Sequence, residues 1–139
     1  MTPVLLDAGV LIDLIRDCPR VRAWLQRFPK SACKLSCITT FEVWSGARFA
    51  REPAQEEATI RHLIRMFGEE AFDGPAAEAA ARVRQELESA GAAIGPFDAL
   101  LAGHALARNW AVATANAREF RRIKGLQVHE WTRPTRRRR

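Results

Sequence analysis

Three carboxylates stand where short apolar segments give way to helical patterns, and each lies in an apolar setting. Asp7 follows VLL, Glu42 lies in CITTFEVW, and Asp98 lies in IGPFDALL. Short apolar strands that alternate with helices are typical of βαβ units, which build a mostly parallel sheet. The chain is therefore predicted to be an α/β protein with its acids near the ends of strands.

Proline, glycine and apolar periodicity divide the chain into short elements. Strands are predicted at residues 3–7, 34–38, 70–73, 111–114 and 126–131, the last at an edge. Helices are predicted at residues 9–16, 19–28, about 39–50, 53–67, 75–90, about 96–110 and about 117–122. Thr39 or Thr40 is the predicted cap of the third helix, and Gly68 and Gly91 are predicted to end the fourth and fifth.

Length and composition favour one globular domain. The chain has 139 residues, of which 47% are hydrophobic, enough for a substantial core. No apolar run reaches about 18 residues, so no transmembrane helix is expected. No basic segment precedes the first apolar stretch, so a signal peptide is not expected either. We therefore expect a cytoplasmic protein.

The three cysteines, Cys18, Cys33 and Cys37, are interpreted as packing residues. An odd number of cysteines in a cytoplasmic chain argues against a disulfide framework. Cys33 and Cys37 are four positions apart, but no second Cys/His pair has the spacing of a zinc site.

The net charge of +6 is concentrated at the C-terminus. Five arginines occupy positions 133 and 136–139, and 22 basic residues less these five leave 17 against 16 acidic ones elsewhere. We interpret residues 1–132 as the folded domain and 133–139 as an Arg-rich flexible tail. Such a tail suits a polyanion such as RNA. A solvated terminus without a function explains it equally well.

Five polar side chains are predicted to converge on one rim of the sheet, because ligand sites of parallel sheets lie at the carboxyl ends of the strands. Asp7 ends the first predicted strand, and Glu42 and Asp98 lie in first turns of helices. Asn116 and Glu119 follow the strand at 111–114.

Each acid also has a structural explanation. Asp7 is a candidate N-cap. Thr39-x-x-Glu42 matches a capping box, in which Glu42 bonds back to the cap amide. Asp98 stands where the helix dipole favours an anion. Caps normally face solvent, whereas these acids are embedded in apolar segments, which favours a shared site.

A cluster of carboxylates beside a core calls for a cation, because uncompensated buried charge is costly. Oxygen ligands suit Mg²⁺ or Mn²⁺ and do not suit zinc or copper. Such a cation activates water and stabilises charge on a phosphoryl oxygen, so phosphodiester hydrolysis is the expected reaction. A Ser-His-Asp mechanism is disfavoured, because the chain has no GxSxG motif.

Four segments occur in a characteristic order: LLDAGVLIDLIR, SCITTFEVWSGA, IGPFDALLAGHALA and TANAREFRRIKGL. Together they resemble a VapC-type PIN-domain toxin, over about residues 3–131. The resemblance implies a three-layer sandwich with a mostly parallel central sheet of four to five strands flanked by helices. It also implies a Mg²⁺/Mn²⁺-dependent endoribonuclease, the toxin of a toxin–antitoxin pair, that cleaves tRNA or rRNA loops.

The resemblance assigns roles to individual residues. Asp7, Glu42, Asp98 and Asn116 match the catalytic positions. Asp7 and Asp98 match metal ligands, and Glu42 and Glu119 are further candidates; a solvated helix position is the alternative for Glu119. Arginines that could rim the pocket and hold RNA are Arg16, Arg118, Arg121 and Arg122, together with Arg48, although solvated helix faces explain them as well. The implied partners are a small VapB-like antitoxin and a second copy of the chain, possible members of a larger assembly.

The chain departs from the family pattern beside the first acid. Ala8 and Gly9 replace the usual Thr-Asn, and Ala115 stands where Asn is common. Groups behind metal ligands fix their orientation, so affinity or rate is expected to be reduced. The alternative function is a catalytically weak PIN domain that binds RNA or antitoxin. A DNA nuclease is a third and less favoured interpretation.

Other notable residues are interpreted as structural. His104 is predicted to be a packing residue, because it lies on a different helical face from Asp98. Gly46 is predicted to permit a close helix approach. The four tryptophans, Trp24, Trp44, Trp110 and Trp131, are predicted to lie in the core or on a partner surface.

Overall fold

A five-stranded parallel sheet lies at the centre of the molecule, for which a computed structural model describes residues 1–132. Its strands are β1 (Val4–Leu6), β2 (Cys33–Ser36), β3 (Glu69–Glu70), β4 (Ala111–Thr114) and β5 (Val128–Glu130). Their order is β3-β2-β1-β4-β5, and every pairing is parallel. The predicted α/β class and parallel sheet are confirmed. The Arg-rich segment 133–139 lies outside the described residues.

Helices connect the strands. They are α1 (Ala8–Ile15), α2 (Pro19–Leu25), α3 (Cys37–Ala47), α4 (Pro53–Phe67), α5 (Gly74–Ser89), α6 (Pro96–Arg108) and α7 (Ala117–Phe120), with one 3₁₀ turn at Lys30–Ala32. Proline lies in the first turn of α2, α4, α5 and α6, where its missing N–H costs no helical hydrogen bond. Gly68 ends α4 with φ +80°, as predicted. None of the helices within residues 1–132 is long and apolar enough to cross a membrane.

Two hydrophobic clusters cover the two faces of the sheet, because side chains alternate along a strand. Val4 and Leu6 face a cluster that includes residues of α1, α2, α3 and α4. Leu5 and Val112 face the opposite way, against residues of α5, α6 and α7. The chain is therefore a three-layer sandwich, as expected.

The start of α3 differs from the prediction. β2 ends at Ser36 instead of residue 38, and Ser36 caps α3 by accepting a hydrogen bond from the Ile38 amide at 3.1 Å. Thr39 lies inside the helix, where its hydroxyl donates to the Leu6 carbonyl at 3.3 Å. The predicted cap at Thr39 or Thr40 is therefore wrong, and so is the alternative interpretation of Thr39 and Glu42 as a capping box.

Close helix packing occurs at Gly103 and not at Gly46. A Cβ added to Gly103 would lie 2.2 Å from the backbone nitrogen of Ala80, so α6 contacts α5 directly through its glycine. A Cβ added to Gly46 would meet nothing within 4 Å. The prediction for Gly46 was wrong, because the exposed side of α3 carries it.

Smaller differences concern element ends. α3 ends at Ala47 instead of about Ala50, β3 is shorter than 70–73, and β5 is shorter than 126–131. The tryptophans follow their prediction: Trp131 is buried, and Trp24, Trp44 and Trp110 are partly buried. All three cysteines are free, and Cys33 is buried.

Candidate active site

Asp7 is the most buried acid at the carboxyl end of the sheet, with an exposed fraction of 7%. It directly follows β1 and caps α1, where its Oδ1 accepts a hydrogen bond from the Val10 amide at 2.9 Å. Its Oδ2 accepts a hydrogen bond from the Thr114 hydroxyl at the end of β4. The cap interpretation is therefore correct for Asp7, and the same carboxylate is held from a second strand.

Glu42 lies on the second turn of α3, half-buried beside the other acids. Burial, together with repulsion from Asp98 and then from Asp7, raises its pKa from 4.5 to about 6. These interactions show that the Glu42 carboxylate lies near those of Asp7 and Asp98. Ionisation of Glu42 therefore destabilises the folded protein.

Asp98 lies in the first turn of α6, as predicted. Burial raises the pKa of its carboxyl, and repulsion from Asp7 and Glu119 adds to the effect. The side-chain amide of Asn116 opposes this shift by donating to Asp98 Oδ2 at 3.4 Å. The same amide donates to Glu119 Oε2 at 3.0 Å, so Asn116 bridges two carboxylates.

Sheet order explains this convergence. β2, β1 and β4 are neighbours, so their carboxyl ends open at one edge. The five polar residues that the sequence suggested all lie there: Asp7, Glu42, Asp98, Asn116 and Glu119. We refer to the four carboxylates among them as the acidic cluster.

The chemistry of the acidic cluster fits a hard cation that keeps most of its water. Across residues 1–132, no three His, Cys, Asp or Glu side chains are grouped so that they could hold a metal ion among themselves. Mg²⁺ is usually held by one or two carboxylates with water in its other positions. Burial, and then repulsion from neighbouring carboxylates, raises the pKa values of Glu42 and Asp98, and a cation would relieve the repulsion.

Comparison with known proteins places the chain in a family. A PIN domain model matches residues 4–126. The chain is 33% identical over 135 residues to the tRNA(fMet)-specific endonuclease VapC of Shigella flexneri, a match that spans 95% of this chain and 100% of that protein. The chain belongs to the VapC group of PIN domains.

Solved structures share the fold over nearly the whole chain. The DNA-bound VapBC complex of Salmonella typhimurium contains a chain with TM-score 0.87 and 31% identity, covering 94% of this chain and 99% of that one. The VapBC2 complex of Rickettsia felis, bound to a promoter DNA fragment, contains one with TM-score 0.85 and 25% identity, covering 92% and 98%.

Thr114 is a site residue of this PIN domain that sequence reasoning missed. Its hydroxyl donates a hydrogen bond to Asp7 and accepts one from the backbone N–H of Asn116 at 2.8 Å. The one available signal was its place at the end of AVAT, two residues before Asn116. Although Ala8 and Gly9 replace Thr-Asn after Asp7, a hydroxyl from β4 helps to orient the carboxylate.

The arginines of the predicted RNA-binding set are spread widely. Arg118 lies beside Glu119 in α7 and is exposed, as are Arg121 and Arg122 just after that helix. Arg121 pairs with Glu130 at 3.1 Å. Arg16 is the C-cap of α1, roughly 14 Å along the helix axis from Asp7 at 1.5 Å per residue. Of the predicted set, Arg118, Arg121 and Arg122 are the nearest in sequence to a member of the acidic cluster, at one to three residues from Glu119.

His104 is a packing residue, as predicted. It is fully buried in α6, its Nδ1 is 2.8 Å from the Ser36 hydroxyl, and its ring meets Phe72 edge-on. Burial lowers its pKa, and the nearby Arg108 lowers it further. The neutral imidazole therefore links α6 to the cap of α3, behind the acidic cluster.

Proposed function

We propose that this protein is a divalent-metal-dependent endoribonuclease and the toxin of a toxin–antitoxin pair. The observation that carries the proposal is the convergence of Asp7, Glu42, Asp98 and Glu119 at one end of the sheet, with charges that repel one another. Repulsion among carboxylates destabilises the folded protein. A site that nevertheless brings four of them together is therefore a candidate for binding a cation.

Mg²⁺ or Mn²⁺ bound there would supply Lewis acidity toward a phosphoryl oxygen and activate water for attack on phosphorus. Asp7 and Asp98 are the residues proposed to hold the cation directly, and Glu42 and Glu119 to hold it through water. Thr114 orients the Asp7 carboxylate, and Asn116 fixes Asp98 and Glu119 relative to each other. The burial of Asp7 excludes bulk water from one side of the cluster.

The substrate is proposed to be structured RNA that is cleaved in a loop. The relative from Shigella flexneri is named as a tRNA(fMet)-specific endonuclease. Loops present splayed bases and an accessible backbone, which double helices do not. A tRNA or rRNA loop is therefore the expected target class.

The partner is proposed to be a small VapB-like antitoxin, because the similar solved chains come from VapBC complexes, some of them with DNA. A homodimer that enters a larger toxin–antitoxin assembly is part of the same proposal. We also propose that residues 1–132 are the PIN domain, that 133–139 form a separate basic tail, and that the protein acts in the cytoplasm.

The test is cleavage of total RNA by the purified protein with Mn²⁺ or with EDTA, followed by sequencing of the new ends. Asp98→Asn keeps the size of the side chain and removes its charge, so it should abolish cleavage. Glu78→Gln is the matched control, because Glu78 is exposed on α5 and pairs only with Arg82 among the contacts described. Cleavage that survives EDTA or Asp98→Asn would contradict the proposal.

The alternative is a PIN domain that binds RNA or antitoxin with little cleavage. Ala8 and Gly9, which replace the Thr-Asn of the family pattern, favour it. In that case wild type and Asp98→Asn would show the same low cleavage with Mn²⁺, while RNA binding persisted. The Thr114 hydroxyl on Asp7 favours the enzyme instead.

A further inference from the structure

Two exposed phenylalanines contact each other beside the acidic cluster. Phe41 is 55% exposed on α3, and Phe97 is 40% exposed on α6. Their ring centroids lie 5.6 Å apart, and the ring planes are tilted by 45°. Most large apolar side chains of the domain are buried, so a pair of touching aromatic rings in solvent requires an explanation.

Each ring directly precedes a carboxylate of the cluster. Phe41 is followed by Glu42, and Phe97 is followed by Asp98. α3 and α6 lie on opposite faces of the sheet, and the second turn of α3 lies near the first turn of α6 at the edge where the carboxylates converge. The two rings therefore form an apolar surface, here called the aromatic pair, and each ring is one residue from a carboxylate of the acidic cluster.

The charge of the cluster limits what can bind beside it. Four carboxylates repel a nucleic acid backbone, so phosphates other than the one that meets the cation gain nothing from this edge. A nucleobase carries no charge and has a π-face that stacks on aromatic rings. The base is therefore the part of a nucleotide that this surface can hold.

We propose that Phe41 and Phe97 hold an unpaired base of the substrate strand next to the phosphate that enters the acidic cluster. The proposal rests on the proposed function and deepens it, because it assigns a determinant of substrate choice. A paired base is stacked within its own helix and cannot occupy the aromatic pair. The site would thus select single-stranded nucleotides through an uncharged contact.

The test compares strands of equal length and charge that differ only in their bases. Fluorescence anisotropy in EDTA, without cleavage, gives the Kd of the full-length protein for a labelled 12-nucleotide oligoriboadenylate and for an abasic ribose-phosphate 12-mer. Phosphate repulsion is the same for both, so the ratio of the two Kd values isolates the bases. Wild type should prefer oligoriboadenylate by roughly 5- to 150-fold per stacked base.

Phe41→Leu and Phe97→Leu keep an apolar side chain and remove the aromatic face. Each should move the ratio of Kd values toward one, by up to the full preference of roughly 5- to 150-fold that wild type shows. Phe49→Leu is the matched control, because Phe49 is 91% exposed and follows the end of α3 away from the acidic cluster. It should leave the ratio unchanged, and circular dichroism should show all three variants folded.

An unchanged ratio in both Phe41→Leu and Phe97→Leu, or an equal fall in Phe49→Leu, overturns the inference. So does a change of oligomeric mass in sedimentation without a change of the ratio, which would identify a surface for a second copy. The inference also fails if Phe41→Leu and Phe97→Leu lose binding to an antitoxin peptide while their ratio of Kd values stays that of wild type. Mn²⁺-dependent cleavage of total RNA by wild type is measured separately, so the proposed function can stand when this inference fails.

Discussion

At the scale of single residues, Thr114 connects the acidic cluster to the backbone that follows β4. Its hydroxyl donates one hydrogen bond to Asp7 and accepts one from the backbone N–H of Asn116, and Thr114 is fully buried. A hydroxyl in this position satisfies two groups that would otherwise lack that partner, which makes it costly to remove.

We predict that Thr114→Val lowers the free energy of unfolding by roughly 1–3 kcal/mol, because it leaves the Asn116 amide and Asp7 Oδ2 without this partner. RNA cleavage should fall as well, since Asp7 loses its orientation. Chemical denaturation and the cleavage assay measure the two effects. Thr59→Val is the control: Thr59 bonds only to the Gln55 carbonyl within α4 among the contacts described, and its loss should cost much less. Equal costs at the two positions would contradict the role of Thr114.

The ionised carboxylate of Glu42 destabilises the folded state of the metal-free protein. Its pKa in the folded state is about 6, above the ordinary value of 4.5, so the folded protein binds this proton more tightly than the unfolded chain. The free energy of unfolding therefore falls as pH rises from about 4.5 to about 6 and stays lower above that window.

We predict that Glu42→Gln stabilises the metal-free protein at pH 7.5 by about 1 kcal/mol, because the side chain is partly exposed and screening by solvent reduces the full effect. The same variant should lose metal-dependent cleavage. Thermal unfolding in EDTA measures the gain, which should vanish near pH 4, where Glu42 is protonated in both states. A variant less stable than wild type at pH 7.5 would refute this account. Glu78→Gln should change stability by less than about 0.5 kcal/mol at either pH.

At the scale of elements, the packing of α6 against α5 depends on one glycine. Gly103 lies where a Cβ would overlap the backbone of Ala80, so the two helices approach at a distance that other residues do not allow. The N-terminal turn of α6 carries Asp98 and Phe97, which means that this packing also positions part of the acidic cluster.

We predict that Gly103→Ala destabilises the protein by about 1–3 kcal/mol or more, because the methyl group forces α5 and α6 apart. Gly46→Ala is the matched control within a helix. It meets nothing within 4 Å and should stabilise α3 by up to about 1 kcal/mol through helix propensity. Denaturation midpoints of the two variants should therefore move in opposite directions, and movement in the same direction would contradict the packing argument.

Most elements were predictable because local periodicity and proline or glycine positions determine them. The strand at Ala111–Thr114 was predicted to the residue, and α5 was predicted within one residue at each end. The start of α3 was not, because Ser36, Thr39 and Thr40 are all good caps by composition. The choice depends on Thr39 donating to the Leu6 carbonyl of β1, a contact that only the assembled sheet provides.

At the scale of the whole molecule, binding of a cation at the acidic cluster should stabilise the folded state. Ligand that binds only the folded protein adds about 2.7 kcal/mol at a concentration of 100 times its Kd. We predict that saturating Mn²⁺ raises the Tm of wild type and leaves that of Asp98→Asn nearly unchanged. Calcium-free buffers with and without EDTA serve as controls, and an equal rise in both proteins would indicate binding elsewhere.

The basic segment 133–139 offers a prediction about affinity. Removal of these residues should leave the Tm of the PIN domain unchanged and weaken RNA binding. It should also reduce the dependence of binding on salt, since each phosphate contact with single-stranded RNA contributes about 0.7 to the slope of log K against log salt concentration. Titrations at several salt concentrations measure this slope. Parallel slopes for the full and shortened chains would show that the segment does not contact RNA.

The sequence by itself determined the α/β class, the order of the elements, the membership of the VapC group and the five polar residues of the candidate site. These follow from patterns that are local in the chain. Only the tertiary structure decided that Thr114 holds Asp7 from 107 residues away, that Gly103 and not Gly46 brings helices together, and that Phe41 touches Phe97. Contacts between distant segments depend on which strands are neighbours and how closely helices pack, and no local pattern encodes either.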